Sequence, residues 1–207
     1  MVYSYHYLPL GVNMTSLKSI TPTLARWVGI TPAALYERQR ALVRARLLYP
    51  EPGRGPGSGV RATPESVAML LIALLATGSL SETEEQTTIL ANLKSATKHC
   101  PLTGKKTFAS ALAAVFASLE TARRVSWIEA ERGRAWASAV IVYKQKPKDK
   151  EAHRSVFGHR RLGLIPGLSV KAELCLPFGE IAHGFEAGAQ DQAEKRDSAN
   201  CRTNTAA

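Results

Sequence analysis

The sequence predicts an α+β fold in which a mainly helical first part is followed by a small helical and antiparallel-sheet part. In 64–77, apolar residues recur three and four positions apart, which is the spacing of one side of a helix. In 125–142 and 168–176, apolar and polar residues alternate, which is the two-residue period of a strand. A glycine- and proline-rich run, 50–57, interrupts the helical part and predicts a loop.

The first helix is predicted from Pro22 to Val28. Thr21 can cap it, and proline suits a first turn because its missing N–H would have no partner there. Gly29 ends the helix, since glycine adopts a positive φ without strain. The residues before it, 15–20, leave room for only one further short helix.

The second helix follows at once and is predicted from Pro32 to Leu48, with Thr31 as its N-cap. At about 100° per residue, one of its sides is apolar and consists of Leu35, Leu42 and Val43. Arg38 and Gln39 lie at the edges of that side. Their aliphatic stems are expected to cover the core while their polar ends reach solvent.

The opposite side of this helix suits contact with DNA. It presents small, aromatic and charged residues: Ala33, Tyr36, Glu37, Arg40 and Arg44. Small residues let a helix approach the major groove closely, and arginine can read guanine or hold phosphate. We expect Ala33 and Tyr36 to approach base edges, and Arg40 and Arg44 to contact phosphate or bases. Thr31, at the N-cap, belongs to the same candidate surface.

A basic loop follows the second helix. Residues 47–49 and 58–62 are predicted to pair as short strands around the glycine- and proline-rich run. Arg54, Ser58 and Arg61 are the candidate DNA contacts of this hairpin.

Residues 15–77 resemble the winged helix-turn-helix family. The resemblance is carried by the following residues in order: Leu24-Ala25, Val28-Gly29-Ile30, Thr31-Pro32, Leu35, Leu42, Leu47-Leu48 and Thr63-Pro64-Glu65. It implies that the second helix lies in the major groove and that the hairpin, or wing, touches phosphate or the minor groove.

Two features depart from the pattern of that family. Arg46 stands where glycine usually precedes the wing, at a position that often has a left-handed backbone. Arg38 and Gln39 stand where an inward-facing aliphatic residue is usual.

The helix predicted over 64–77 is apolar on nearly all sides, so it must be buried on two of them. Thr63 can cap it. We expect it to close the first domain and to contact the second domain or a dimer partner, with simple core packing as the alternative.

The second part is predicted from local signals alone. Ser81 and Glu84 form a capping-box pattern at the start of a helix that extends to Ala96. Arg132-Gly133 is a hairpin turn signal. The remaining elements are a helix over 106–120, strands over 154–157 and 168–176, and a closing helix over 177–185.

The predicted domain organisation has four parts: a flexible leader (1–14), the winged helix-turn-helix domain (15–78), an α+β domain (79–186) and a disordered tail (187–207). The α+β domain resembles no family that we recognise. Dimerisation, sensing of a small ligand or binding of another protein is its expected task.

Composition favours a polyanion as the partner, because the formal net charge is +10. The three cysteines are far apart in sequence, so neither a metal site nor a disulfide scaffold is predicted. We expect His99-Cys100 to lie in a surface turn. No signal peptide or membrane span is predicted, and a cytoplasmic, nucleoid-associated location is expected.

No catalytic site and no cofactor are predicted. Ser155, with His153 or His159 and Asp149, could be grouped as a triad, but no nucleophile elbow surrounds the serine. Glu129 and Glu131 share one side of a strand, which we interpret as an exposed sheet face.

These observations favour a non-enzymatic, sequence-specific double-stranded DNA-binding protein, a transcriptional regulator of bacterial or phage type that acts as a homodimer. One alternative is a component of phage DNA packaging or replication initiation. Another is a winged-helix adaptor that binds proteins and not DNA.

Overall fold

The computed structural model describes residues 16–52, 59–133, 136–146, 149, 151–158 and 170–186. Helices and antiparallel sheets are both present, which confirms the α+β class. The helices of this part of the chain are α1 (Leu17–Val28), α2 (Pro32–Arg44), α3 (Pro64–Ala76), α4 (Thr83–Ala91), α5 (Phe108–Phe116) and α6 (Leu119–Arg124). The strands are β1 (Pro50–Glu51), β2 (Gly59–Val60), β3 (Val125–Gly133), β4 (Trp136–Tyr143), β5 (His153–Gly158) and β6 (Val170–Leu174). Residues 178–186 are also helical, as predicted, whereas the predicted leader and tail lie outside the described residues.

The predicted start of the first helix was wrong. α1 begins at Leu17, and Ser16 caps it by accepting the Ser19 N–H at 3.2 Å. Thr21 is buried inside the helix and donates its hydroxyl to the Leu17 carbonyl at 2.9 Å. Pro22 lies within the same helix, on its exposed side, where water can replace the one amide hydrogen bond that proline removes.

The turn between α1 and α2 has the predicted form. Gly29 has a φ of 73°, and the Ile30 N–H returns to the Ala25 carbonyl at 3.0 Å. This is a Schellman helix end, in which glycine takes the left-handed position. Thr31 then caps α2 by accepting the Ala34 N–H, with Pro32 as the first helical residue, so both predictions are confirmed.

α2 ends at Arg44, four residues earlier than predicted. Arg46 has a φ of 57°, and the Leu47 N–H bonds to the Leu42 carbonyl at 2.9 Å. This is a second Schellman end, and it stops the helix because the left-handed residue cannot continue it. Arg46 itself therefore has the left-handed backbone that is frequent at such a helix end.

These two helix ends allow a matched test of backbone strain. Arg46→Gly should raise the free energy of unfolding by about 0.5–1 kcal/mol, because relief of left-handed strain exceeds the entropy that glycine loses on folding. Gly29→Ala should lower it by about 1 kcal/mol, although nothing lies within 4 Å of the added Cβ. Urea denaturation measures both changes, and a loss of stability in Arg46→Gly would contradict the strain.

The first strand of the hairpin lies later in the sequence than predicted. β1 pairs antiparallel with β2, with Pro50 opposite Val60 and Glu51 opposite Gly59. The prediction of a strand over 47–49 was wrong, because the turn that ends α2 occupies most of that stretch. The loop over 53–58, with Arg54 and Ser58, lies outside the described residues.

α3 lies at the centre of the core. Val67, Leu70 and Leu71 are fully buried, and the helix contacts α2, α4, α5, β3 and β6. Its predicted burial on two sides is confirmed, and Thr63 caps it as predicted. Buried apolar residues from α1 to the final helix form one continuous cluster, and the predicted domain boundary at residue 78 stays a prediction.

Two helices of the second part differ from their predictions. α4 starts at Thr83 without a side-chain cap, since the Ser81 hydroxyl bonds to that of Ser79. It ends at Ala91, because the chain then leaves the helix to pair with β5. The helix predicted over 106–120 is divided: Ser118 has an extended backbone and caps α6, so α5 ends before it.

The larger sheet has the order β5-β4-β3-β6, with all neighbours antiparallel. Arg132 and Gly133 lie in β3 and pair with β4, so the predicted turn at these residues was wrong. The turn residues 134–135 lie outside the described residues. Strands at 154–157 and 168–176 are confirmed, with bounds shifted to those of β5 and β6.

The interpretation of Glu129 as part of an exposed sheet face was wrong. Glu129 is only 8% exposed. It accepts hydrogen bonds from Arg154 on β5 and from Lys171 on β6, the latter at 2.9 Å. The hydrogen bond to Glu129 raises the pKa of Lys171. The carboxylate thus joins β3 to the adjacent strand β6 and, across β4, to β5 through ionic hydrogen bonds.

Glu129→Gln should lower the free energy of unfolding by about 1–3 kcal/mol. An amide nitrogen would then face one of two cations, and a buried hydrogen bond would be removed. Glu173→Gln is the matched control, because that exposed carboxylate lies 3.8 Å from the same lysine and should contribute about 0.5 kcal/mol or less. Equal decreases in stability in the two variants, measured by urea denaturation, would contradict this account.

Two further predictions concern Cys100 and Ser155. Cys100 is buried, so the expectation of a surface turn holds only for the exposed His99. The Cys100 thiol donates to the hydroxyl of Ser155, which is itself 1% exposed, at 3.4 Å. His159 lies outside the described residues.

Candidate nucleic-acid interface

α2 presents the surface that the sequence predicts. Leu35 and Leu42 are fully buried, whereas the opposite side faces outward. On that side Thr31, Ala33, Arg40 and Arg44 are exposed, and Tyr36 and Glu37 are half-buried. The six predicted contact residues at the N-cap and on this helix therefore share one accessible surface.

Arg40 is paired within this surface. Its Nη1 lies 2.9 Å from Glu37 Oε1, and the two side chains are 56% and 43% exposed. An exposed pair of this kind contributes roughly 0–1 kcal/mol. Arg40 can therefore exchange the carboxylate for a phosphate at small cost. Until then, the ion pair with Glu37 restricts the conformations of the Arg40 side chain.

Lys18 lies on the same surface, although it is not among the predicted contact residues. It is exposed on α1, and its Nζ lies 5.6 Å from the centre of the Tyr36 ring, within cation–π range. The predicted first helix begins at Pro22, so the prediction leaves Lys18 outside the helix that packs against α2. Recognition of Ser16 as the N-cap would have revealed it.

The connection from α2 to the hairpin adds further cations and one aromatic residue. Arg46 is exposed, and Tyr49 is 76% exposed. Arg61, just after β2, bonds through Nε to Glu51 Oε1 across the hairpin at 2.6 Å. Tyr49 and Arg46 were not among the predicted contacts; an aromatic residue directly before a basic loop was the available signal.

Arg38 has a different task from the one predicted. It is 9% exposed, and its guanidinium donates to the carbonyls that end α3: Ala73 at 3.0 Å, Thr77 at 2.6 Å and Gly78 at 3.4 Å. The expectation that its polar end reaches solvent was wrong. A cation at the negative end of a helix dipole is favourable, so the α3 terminus satisfies the buried charge.

A second arginine reaches the same helix end. Arg132 of β3 donates to the Ala76 carbonyl. Burial lowers the pKa of Arg38, and repulsion from Arg132 lowers it further. α3 is therefore bonded to α2 through one guanidinium and to the sheet through another, which fixes the position of α2. Gln39 is also buried, so its polar end does not reach solvent as expected, and its Oε1 has no hydrogen-bond partner among the described residues.

The described residues up to 78 carry more exposed cations than acids. The exposed cations are Lys18, Arg26, Arg40, Arg44, Arg46 and Arg61, whereas the acids are the half-buried Glu37 and the exposed Glu51 and Glu65. This part of the chain therefore keeps a positive charge after its ion pairs are counted, which attracts phosphate.

The described residues contain no group of three or more His, Cys, Asp or Glu side chains placed to hold a metal ion. Within the same residues, no helix has the length and apolarity that crossing a membrane requires.

No family model, no curated protein and no solved structure matches the chain.

Proposed function

We propose that the protein binds double-stranded DNA with sequence preference, through a winged helix-turn-helix domain over 15–78, and acts as a transcriptional regulator of bacterial or phage type. The single observation that carries the proposal is the exposed side of α2. This side has small residues at its N-terminal end and two arginines further along. α2 itself is held against the end of α3 by the hydrogen bonds of Arg38.

The geometry of α2 fits a major groove. Thr31 and Ala33 lie at the N-terminal end, where short side chains let the helix approach base edges. Arg40 and Arg44 are four residues apart, so they lie on the same side of the helix with a rise of about 6 Å between them. Such a pair can hold successive phosphates or reach guanine. Tyr36 lies between the two groups.

The hairpin serves as the wing in this proposal. Arg61 would exchange its partner Glu51 for phosphate, and Arg54 and Ser58 of the loop would make further backbone contacts. These contacts carry no sequence information and fix the register of α2 on the duplex.

The proposal includes a homodimer that works in the cytoplasm at the nucleoid. Dimerisation through residues 79–186 would place two α2 helices about 34 Å apart, which is one turn of DNA. The preferred site would then be an inverted repeat with that spacing.

Selection of bound duplexes from a random library tests this function. We expect enrichment of one motif arranged as an inverted repeat, because a two-fold symmetric dimer reads two half-sites. A pool that stays random after repeated selection would contradict sequence preference, and an enriched single half-site would contradict the dimer.

A further inference from the structure

Residues 94–106, between α4 and α5, carry a second concentration of positive charge, which is separate in sequence from the proposed DNA contacts of α2 and the hairpin. We call this segment the lysine loop. It contains four exposed lysines, Lys94, Lys98, Lys105 and Lys106. The sequence has no acidic residue between Glu85 and Glu120, so nothing within the loop or beside it in sequence neutralises these charges.

The two ends of the lysine loop are fixed to each other and to the sheet. The Ser95 N–H donates to the Lys106 carbonyl at 2.8 Å, which closes the loop at its base. The Ala96 N–H donates to the Val156 carbonyl, and the Gly158 N–H donates to the Lys94 carbonyl, both at 2.8 Å. Because β5 is at the edge of the sheet, the loop extends the ladder there.

The far end of the lysine loop is also held. The Cys100 N–H donates to the Lys105 carbonyl at 2.7 Å, and the Gly104 N–H donates to the Cys100 carbonyl at 2.8 Å. The buried Cys100 thiol and the half-buried Leu102 anchor this end to the core. The backbone that carries the lysines is therefore ordered before any partner arrives.

The charges of the loop are unpaired within the described residues. None of the four lysines has a carboxylate within ion-pair distance there, whereas Arg40, Arg61 and Lys171 each have one. Like charges held together on a fixed backbone repel one another, and a polyanion relieves that repulsion. Lysine acts as a point charge without the planar fork of arginine, so it suits phosphate better than bidentate recognition of a base.

We propose that the lysine loop is a second DNA contact, which holds the phosphate backbone of the duplex without regard to sequence. This inference rests on the proposed function and extends it. A membrane surface is less favoured, because no large apolar side chain of the loop is among the exposed ones of the described residues, and stable membrane attachment needs such an anchor.

The test replaces all four lysines with glutamine and measures duplex affinity at several salt concentrations. We expect affinity for preferred and random DNA to fall by the same factor, about tenfold or more at 0.1 M salt. The slope of log affinity against log salt should become shallower by about 0.9 for each phosphate that the variant no longer neutralises. Thermal denaturation checks that the variant folds.

A matched pair of double variants distinguishes a specific effect of the lysine loop from the effect of removing two positive charges elsewhere in the chain. Lys105→Gln with Lys106→Gln and Lys144→Gln with Lys146→Gln remove the same charge, but the second pair lies beside Asp149, whose carboxylate accepts the Lys146 N–H. Only the first pair should lower affinity and slope clearly. Equal effects of the two pairs would overturn the inference.

Three other outcomes also decide the matter. If wild-type protein prefers a site but the fourfold variant keeps its affinity and slope, the inference is wrong and the proposed function stands. If the fourfold variant loses binding to phosphatidylserine vesicles but keeps its affinity for DNA, the inference is wrong and the loop binds a membrane surface. If wild-type protein shows no salt-dependent duplex binding, the proposed function fails, and the inference fails with it.

Discussion

Replacing Arg40 and Arg44 together by alanine should reduce affinity for the preferred duplex about 100-fold or more. Each arginine contact to a base or phosphate contributes about 1–3 kcal/mol, and both side chains lie on the same side of α2. Both are exposed, so the change should leave the free energy of unfolding nearly unaltered. A mobility-shift or anisotropy titration measures the decrease in affinity.

The control for this variant removes equal charge elsewhere. Arg123→Ala with Lys146→Ala changes two exposed cations of the second part and should lower affinity only slightly. If the α2 double variant binds the preferred duplex as tightly as wild type does, α2 is not the recognition helix.

Arg38→Met should lower the free energy of unfolding by about 2–3 kcal/mol. It removes the donors to the Ala73, Thr77 and Gly78 carbonyls, and an unsatisfied buried carbonyl costs about 1–3 kcal/mol. Loss of the buried charge and of its repulsion from Arg132 offsets part of that cost. Urea denaturation gives the value.

The same variant tests whether Arg38 positions α2. At temperatures where Arg38→Met is still folded, its preference for the selected site over random DNA should fall, because α2 loses its hydrogen bonds to α3. Arg38→Lys keeps the charge but cannot reach all three carbonyls, so it should lie between wild type and Arg38→Met. Wild-type stability and preference in Arg38→Met would contradict this role.

Features set by local chemistry could be predicted from the sequence. Thr31 and Pro32 start α2 as predicted, since capping and proline tolerance depend on neighbours in sequence alone. Gly29 takes the left-handed position for the same reason. The outward side of α2 followed from helical periodicity.

Features set by distant contacts could not be predicted. Arg38 donates to the carbonyls of Ala73 and Thr77 at the end of α3. No local sequence pattern shows that this helix end lies beside Arg38. The carboxylate of Glu129 is buried because Arg154 and Lys171 come from two other strands. α1 continues through Pro22 because its first turns are held by buried residues, which outweigh one missing hydrogen bond.

The most direct measurement of the central claim is a duplex titration of wild-type protein at about 50 and 200 mM salt, with the selected site and with random DNA. We expect both duplexes to bind at low salt, both affinities to fall steeply as salt rises, and the selected site to keep its advantage at the higher salt. Absence of binding at low salt, despite a formal net charge of +10, would contradict the account. Equal affinity for the two duplexes at both salts would contradict sequence recognition by α2.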